Sequence, residues 1–259
     1  MRSLFRKLTR QSNHSTQQLD SAQTNSGDRI YAIGDIHGRA DLVEKLLQNI
    51  FLDINQCNDK KNIKLVFLGD YVDRGLHSKQ VIEILSQPAP ANIEYVFIKG
   101  NHEEAMLNFL DSPDRASEWL QYGGTETLLS YGASMKAGKL SAKDLKEVAE
   151  NLLNQMPEQH VRFLTDLQDS YENGGYFFTH AGIDPKTPLS SQKGKHLRWI
   201  REDFIHEKQL YEKVIVHGHT ITNDALLLNN RIAVDTGAYY SGKLTCIVLD
   251  GSEKRIIHT

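Results

Sequence analysis

The sequence predicts a layered α/β fold, on three observations. Short apolar runs rich in β-branched residues recur along the chain, and each ends in a polar turn bounded by glycine. After the first three runs, apolar residues return at helical spacing. A long helical stretch then separates this half from a second set of strands. Strand, polar turn and helix in repetition gather the turns along one edge, which is where open α/β sheets bind ligands.

Arg29 to Ile33 reads as the first strand, ended by Gly34-Asp35-Ile36-His37-Gly38. Leu42, Val43, Leu46, Leu47 and Ile50 follow at helical spacing, so Asp35 and His37 sit on a strand-to-helix turn and, in an extended segment, point the same way. Ile63 to Leu68 is the second strand, with Gly69-Asp70-Tyr71-Val72-Asp73-Arg74-Gly75 directly behind it. Its helix, near Ser78 to Ser86, ends at Pro88 and Pro90. The third strand, Ile93 to Ile98, runs into Gly100-Asn101-His102-Glu103 and a further helical pattern. From about residue 104 to 171 the pattern stays helical; this insert reads as a cap beside the site without catalytic residues, with Trp119 and Tyr122 in its core. Strands return at Tyr176 to Thr179, before His180-Ala181-Gly182, and at Val214 to Val216, before His217-Gly218-His219-Thr220. The remainder, through His258, reads as an antiparallel meander.

Composition narrows the function classes. Of 259 residues, 39% are hydrophobic and 24% charged, enough for one large domain with a sizeable core. A net charge of -3 without a basic block argues against nucleic-acid or membrane-surface binding. Cys57 and Cys246 lie in no metal-binding or redox spacing and read as reduced thiols of a cytoplasmic protein. No apolar run is long enough to span a bilayer, and the basic N-terminus lacks the apolar core of a secretory signal. Residues 1–28, rich in Ser, Thr, Gln and Asn, read as a disordered leader, with the catalytic domain over 29–259.

Taken alone, Asp70, Asp73 and Arg74 describe a turn in which an arginine steadies two carboxylates. Recurrence elsewhere overturns that reading, because five strands deliver Asp, His or Asn at the same end. Carboxylate, amide oxygen and imidazole without thiolate suit manganese, iron or zinc. The chemistry implied is two-metal hydrolysis of a phosphoester, in which ions about 3.5–4 Å apart share a bridging carboxylate and activate a water.

These motifs, in this order, resemble the phosphoprotein phosphatase branch of the calcineurin-like metallophosphoesterases. The resemblance covers Arg29 to Leu249 and is strongest to bacterial and bacteriophage-lambda serine/threonine protein phosphatases, whose C-terminal motifs Trp199-Ile200-Arg201-Glu202 and Val234-Asp235-Thr236-Gly237-Ala238 also resemble. It implies a four-layer α-β-β-α sandwich and two divalent ions, manganese first. Asp35 and His37 are then ligands of one ion, Asn101, His180 and His219 of the other, and Asp70 the bridge. His102 is the implied general acid, its imidazole held by Asp73. Arg74 and Arg201 are implied to grip the phosphate oxygens, with Arg198 competing for the second place. His217 stays outside the ligand set, and His14, His77, His160, His196, His206 and His258 are read as solvated or structural.

The expected substrate is a phosphoprotein or phosphopeptide, acted on by a monomer that binds neither nucleic acid nor membrane. Lys99 and Ala181 replace an arginine and a glycine of the eukaryotic members, which points to the bacterial type, where phosphotyrosine is often accepted as well. A diadenosine tetraphosphate hydrolase shares the metal motifs but typically replaces the second Asp of the central motif; Asp73 favours the phosphatase. A non-catalytic phosphate-binding regulator would have lost a ligand or the acid, and none is missing.

Overall fold

The computed structural model describes residues 17–57 and 59–259. The chain runs α1 (Gln17–Ser21), β1 (Asp28–Ile33), α2 (Ala40–Gln56), β2 (Asn62–Phe67), α3 (Ser78–Leu85), β3 (Ile93–Phe97) and α4 (Asn101–Asp111). A 3-10 turn over Ser117–Tyr122 leads into α5 (Gly124–Ser130), α6 (Ala142–Gln155) and α7 (Glu158–Thr165). The second half contains β4 (Ser170–Asn173), β5 (Tyr176–Thr179), α8 (Gly194–Trp199), α9 (Glu202–Ile205), β6 (Val214–His217), β7 (Leu226–Leu227) and β8 (Arg231–Ala233). It ends with α10 (Ala238–Ser241), β9 (Thr245–Asp250) and β10 (Glu253–His258).

Two five-stranded sheets form, in the orders β10-β9-β1-β2-β3 and β4-β5-β6-β8-β7. β1, β2 and β3 are parallel, as are β5, β6 and β8. Because side chains alternate along a strand, each sheet buries both faces. Ile30, Ala32, Val66 and Leu68 meet Tyr176, Phe178, Val214 and Val216 between the sheets. Tyr31, Ile33, Leu65 and Phe67 pack under Leu42 and Leu46 of α2 and Val81 and Ile82 of α3. On the far side, Phe177 and Ile215 pack with Leu197 and Phe204. The result is the expected four layers. Parallel strands point their C-terminal ends the same way, so the loops after β1, β2, β3, β5, β6 and β8 come to one edge. No helix among the described residues is long and apolar enough to cross a membrane.

Four details differ from the sequence expectation. First, residues ahead of Arg29 already pack: Leu19 and Ala22 join the inter-sheet core, the Tyr176 hydroxyl donates to the Ala22 carbonyl (2.9 Å), and Asn25 N–H donates to Asn173 Oδ1 (2.8 Å). Two apolar anchors and a set of backbone bonds order a polar segment, which composition does not reveal; the rest of the expected leader, 1–16, lies outside the described residues. Second, the helical insert ends at Thr165, and β4 takes Ser170–Asn173 as an edge strand on β5. Third, the expected meander is split between the sheets: β7 and β8 extend one, with β8 parallel to β6, while β9 and β10 extend the other. Fourth, Tyr122 is 57% exposed rather than core, whereas Trp119 is buried.

Candidate metal centre and acid

The loops at this edge hold their functional side chains in strained backbone. Six residues other than glycine have positive φ among those described, and five of them are His37 (46°), Asp70 (53°), Asp73 (73°), Arg74 (66°) and His219 (62°). Left-handed backbone costs a residue with a side chain roughly 1–2 kcal/mol, and such strain concentrates where function requires it. It also corrects the extended segment expected for Asp35 and His37, because the chain turns at His37 itself.

Asp70 is the centre of the arrangement. Its Oδ2 lies 3.4 Å from His37 Nε2 and its Oδ1 3.4 Å from His180 Nε2, so one carboxylate faces two groups of ligating atoms. Glu103 holds the loop in place: its carboxylate accepts the N–H groups of Asp70 (2.9 Å), Tyr71 (2.7 Å), Val72 (3.2 Å) and Gly100 (2.9 Å). A Cβ on Gly100 would overlap Asp70 Oδ1, so only glycine allows α4 to begin this close.

The tautomers follow from the hydrogen bonds. His37 Nδ1 donates to the Val72 carbonyl (2.9 Å) and His180 Nδ1 to the Leu68 carbonyl (2.8 Å), which leaves both Nε2 lone pairs directed at Asp70. His180 Nε2 also lies 3.0 Å from Asn101 Oδ1 and 3.1 Å from His219 Nδ1. Burial pushes His37 down to about 3 and His219 to about 2, and lowers His180, so all three are neutral donors of lone pairs. Asp35, which accepts the His219 N–H (3.1 and 3.0 Å), is raised by burial and by the facing Asp235 and Asp70. Asp235 is pushed up to about 6 by burial, with Asp70 adding to it.

Three buried carboxylates and converging lone pairs call for positive charge, and this donor set of carboxylate, amide oxygen and imidazole fits divalent cations. Two clusters have ligating atoms close enough to hold an ion, His37 with Asp70 and His102, and Asp70 with His180 and His219.

His102 stands beside them. Its Nδ1 donates to Asp73 Oδ2 (2.7 Å), which directs Nε2 toward the site, 3.9 Å from Asp70 Oδ2. Burial lowers the basicity of His102, but Asp70 and the bond to Asp73 outweigh it, and the net shift is upward. Asp73 is fully buried and the remaining bonds of its carboxylate come from the insert: Trp119 Nε1 donates to Oδ2 (2.8 Å) and Thr127 Oγ1 to Oδ1 (2.6 Å). The insert, read from the sequence as a cap beside the site, therefore reaches into it through these two bonds to Asp73. Arg74 Nη2 lies 3.2 Å from His102 Nε2. Arg201 donates to the His219 carbonyl (3.2 Å), whereas Arg198 is paired with Glu104 (2.6 Å) and Asp169.

All ten residues singled out from the sequence meet at this edge. Sequence reasoning missed Trp119 and Thr127, Glu103 and Asp235. The last two stand inside motifs already noticed; Trp119 and Thr127 look like ordinary insert residues, and no local signal distinguishes them. His217, left out of the ligand set, is buried against Phe204 with ring centroids 5.2 Å apart.

A family model described as calcineurin-like phosphoesterase matches residues 28–243. The bis(5'-nucleosyl)-tetraphosphatase PrpE (asymmetrical) of Bacillus mycoides is 28% identical over 232 residues, covering 82% of this chain and 87% of its own. Two solved structures share the fold. One, described as a candidate diadenosine tetraphosphatase, has a TM-score of 0.59 at 18% identity and covers 92% of this chain and 98% of its own. The other, a cold-active protein-tyrosine phosphatase of a psychrophilic Shewanella, has a TM-score of 0.53 at 16% identity over 92% and 83%.

Proposed function

The chain belongs to the calcineurin-like phosphoesterases, and within that family we propose that it is a metal-dependent phosphomonoesterase acting on phosphoserine and phosphothreonine in proteins, with phosphotyrosine also accepted. Asp35 and His37 would hold one divalent ion, and Asn101, His180 and His219 a second, with Asp70 between them. Manganese suits the oxygen and imidazole donors, as do iron and zinc. Bound ions supply the Lewis acidity that activates water and neutralises phosphoryl charge.

The protein's own groups do the rest. Arg74 and Arg201 orient the phosphoryl oxygens by forked N–H bonds. As water attacks phosphorus and the ester P–O bond breaks, His102 gives its Nε2 proton to the departing oxygen, and Asp73 stabilises the imidazole in the required orientation. The observation that carries this reading is the His102–Asp73 bond of 2.7 Å, with Asp73 enclosed by Trp119 and Thr127. A serine or threonine alkoxide leaves poorly without a proton, so an acid held this firmly suits such an ester.

Hydrolysis of dinucleoside tetraphosphates is the second reading, supported by the name of the PrpE relative at 28% identity. A nucleotide leaving group is stable as an anion and makes less use of the acid. One experiment separates the two: kcat/KM for phosphoserine, phosphothreonine and phosphotyrosine peptides, p-nitrophenyl phosphate and diadenosine tetraphosphate under one metal condition. Peptides are expected to lead. A dinucleotide faster than every peptide by tenfold, about 1.4 kcal/mol of transition-state stabilisation, replaces the first reading with the second.

A further inference from the structure

Arg74 is held in an unusual way for a half-buried cation. Its guanidinium pairs with no carboxylate among the described residues. The Arg74 Cζ lies 4.8 Å from the ring centroid of Tyr239, over its face, and Nη2 approaches His102 Nε2. The same tyrosine meets His37 edge-on, with ring centroids 5.5 Å apart and planes at 83°. Tyr239 lies on the short helix α10, and two contacts hold that helix against the site. Gly237 N–H donates to Asp235 Oδ1 (2.8 Å), and Arg39 Nη1 donates to the Ala238 carbonyl (2.9 Å).

From this geometry we infer that Tyr239 is a positioning residue for Arg74, holding the guanidinium at the mouth of the metal centre in a state ready to receive a phosphoryl group. The physical reason lies in the choice of partner. A carboxylate would satisfy the N–H donors of Arg74 and cancel its charge, so a phosphate would have to displace it. An aromatic face attracts the cation through its quadrupole and leaves the N–H groups in the guanidinium plane free, apart from the one on Nη2 that lies against His102 Nε2. The strained backbone of Arg74, with φ at 66° and its N–H bonded to the Gly123 carbonyl (3.2 Å), sets where the side chain starts; Tyr239 sets where it ends.

This inference rests on the reading of Arg74 as a phosphate-binding group, and the test separates the two. In the metal-loaded full chain, the competitive Ki of inorganic phosphate and the KM and kcat for p-nitrophenyl phosphate are measured for Tyr239→Leu, Tyr239→Phe, Tyr239→Trp, Arg74→Ala and the Arg74→Ala/Tyr239→Leu double variant, with metal content followed throughout. Tyr239→Leu is expected to raise Ki and KM about three- to tenfold, the range of a partly desolvated cation–π contact. Phenylalanine and tryptophan, which keep the ring face, should stay within about twofold of the parent. In the Arg74→Ala background the leucine change should add nothing further.

An unchanged Ki in Tyr239→Leu overturns the inference, as do equal losses in Tyr239→Leu and Tyr239→Phe, which would assign the effect to the hydroxyl. Loss of metal in the leucine variant also overturns it, because the ring would then act through His37. If Arg74→Ala itself leaves Ki unchanged, the phosphate-binding reading of Arg74 fails first. Should Tyr239→Leu not fold, Tyr239→Met, which also removes the ring face but keeps a long apolar side chain, is read in its place: a Ki unchanged from the parent overturns the inference, and a rise of about three- to tenfold supports it.

Discussion

At the scale of single residues, the proposed acid is a chain of three contacts: His102 on Asp73, and Asp73 on Trp119 and Thr127. Each contact predicts a different loss. His102→Asn should lower kcat on a phosphoserine peptide by about a hundredfold or more, because general acid catalysis is worth ~10²–10⁴. The loss should be smaller on p-nitrophenyl phosphate, whose leaving group needs little protonation, while bound metal stays near its normal level. Equal losses on both substrates would assign His102 to metal binding or positioning instead, a role its place beside His37 and Asp70 makes worth measuring. Trp119→Phe removes one N–H from a buried carboxylate but keeps most of the side-chain volume. Groups that orient a reacting side chain typically matter by about tenfold or more, so kcat on phosphoserine should fall by about tenfold with KM little changed. The aryl phosphate should again be spared; a uniform fall across substrates would show general damage to the fold.

At the scale of elements, the segment from α1 to β1 predicts a stability effect rather than a catalytic one. It contributes none of the ligating side chains, yet Leu19 and Ala22 are buried in the inter-sheet core, and its backbone bonds to the turn at Gly174 and Gly175. Deleting residues through Gly27 removes a buried leucine, worth about 1.5–3 kcal/mol, and several hydrogen bonds at about 1 kcal/mol each. A fall of roughly 10–20 °C in Tm is expected for a domain of this size, with kcat per folded, metal-loaded molecule unchanged; differential scanning calorimetry beside active-site titration checks both. An unchanged Tm would mean that this packing adds no stability. The insert is tied to the core in its own way: buried His160 of α7 lies between Tyr131 (2.9 Å) and Glu83 of α3 (2.9 Å). Helix periodicity identified the amphipathic faces of α6 and α7, and α6 starts at a Ser141–Asp144 capping box, a local signal. Neither signal says which loop the insert covers.

At the scale of the molecule, the two sheets form their core without the site, since the inter-sheet and outer clusters are apolar. Chelation should therefore abolish turnover while leaving the far-UV circular dichroism nearly unchanged, and added manganese should restore activity. It should also lower Tm, because Asp35, Asp70 and Asp235 lose the positive charge that offsets their mutual repulsion, and a ligand bound only by the folded state stabilises it. Full activity in protein shown by elemental analysis to carry no metal would contradict the metal-dependent reading.

The sequence by itself determined the layered α/β class and the order of strands that carry polar turns. These follow because period-two and helical hydrophobic patterns and Gly-bounded turns are local properties of the chain; the ten residues that meet at one edge were marked by those turns together with the resemblance to a known family. The sequence could not determine which strands pair. Strand–strand hydrogen bonds depend on partners distant in sequence, so β8 beside β6 and β9 beside β1 emerge only when both faces of each sheet are buried. The different partners of Arg198 and Arg201 are likewise set by the tertiary structure, where Glu104 and Asp169 claim the first and the His219 carbonyl receives the second. The enclosure of Asp73 by Trp119 and Thr127, 46 and 54 residues further along the chain, belongs to the same class of fact. A buried charge accepts whatever donors the fold brings within about 3 Å, and no short-range pattern in the chain records which donors those are.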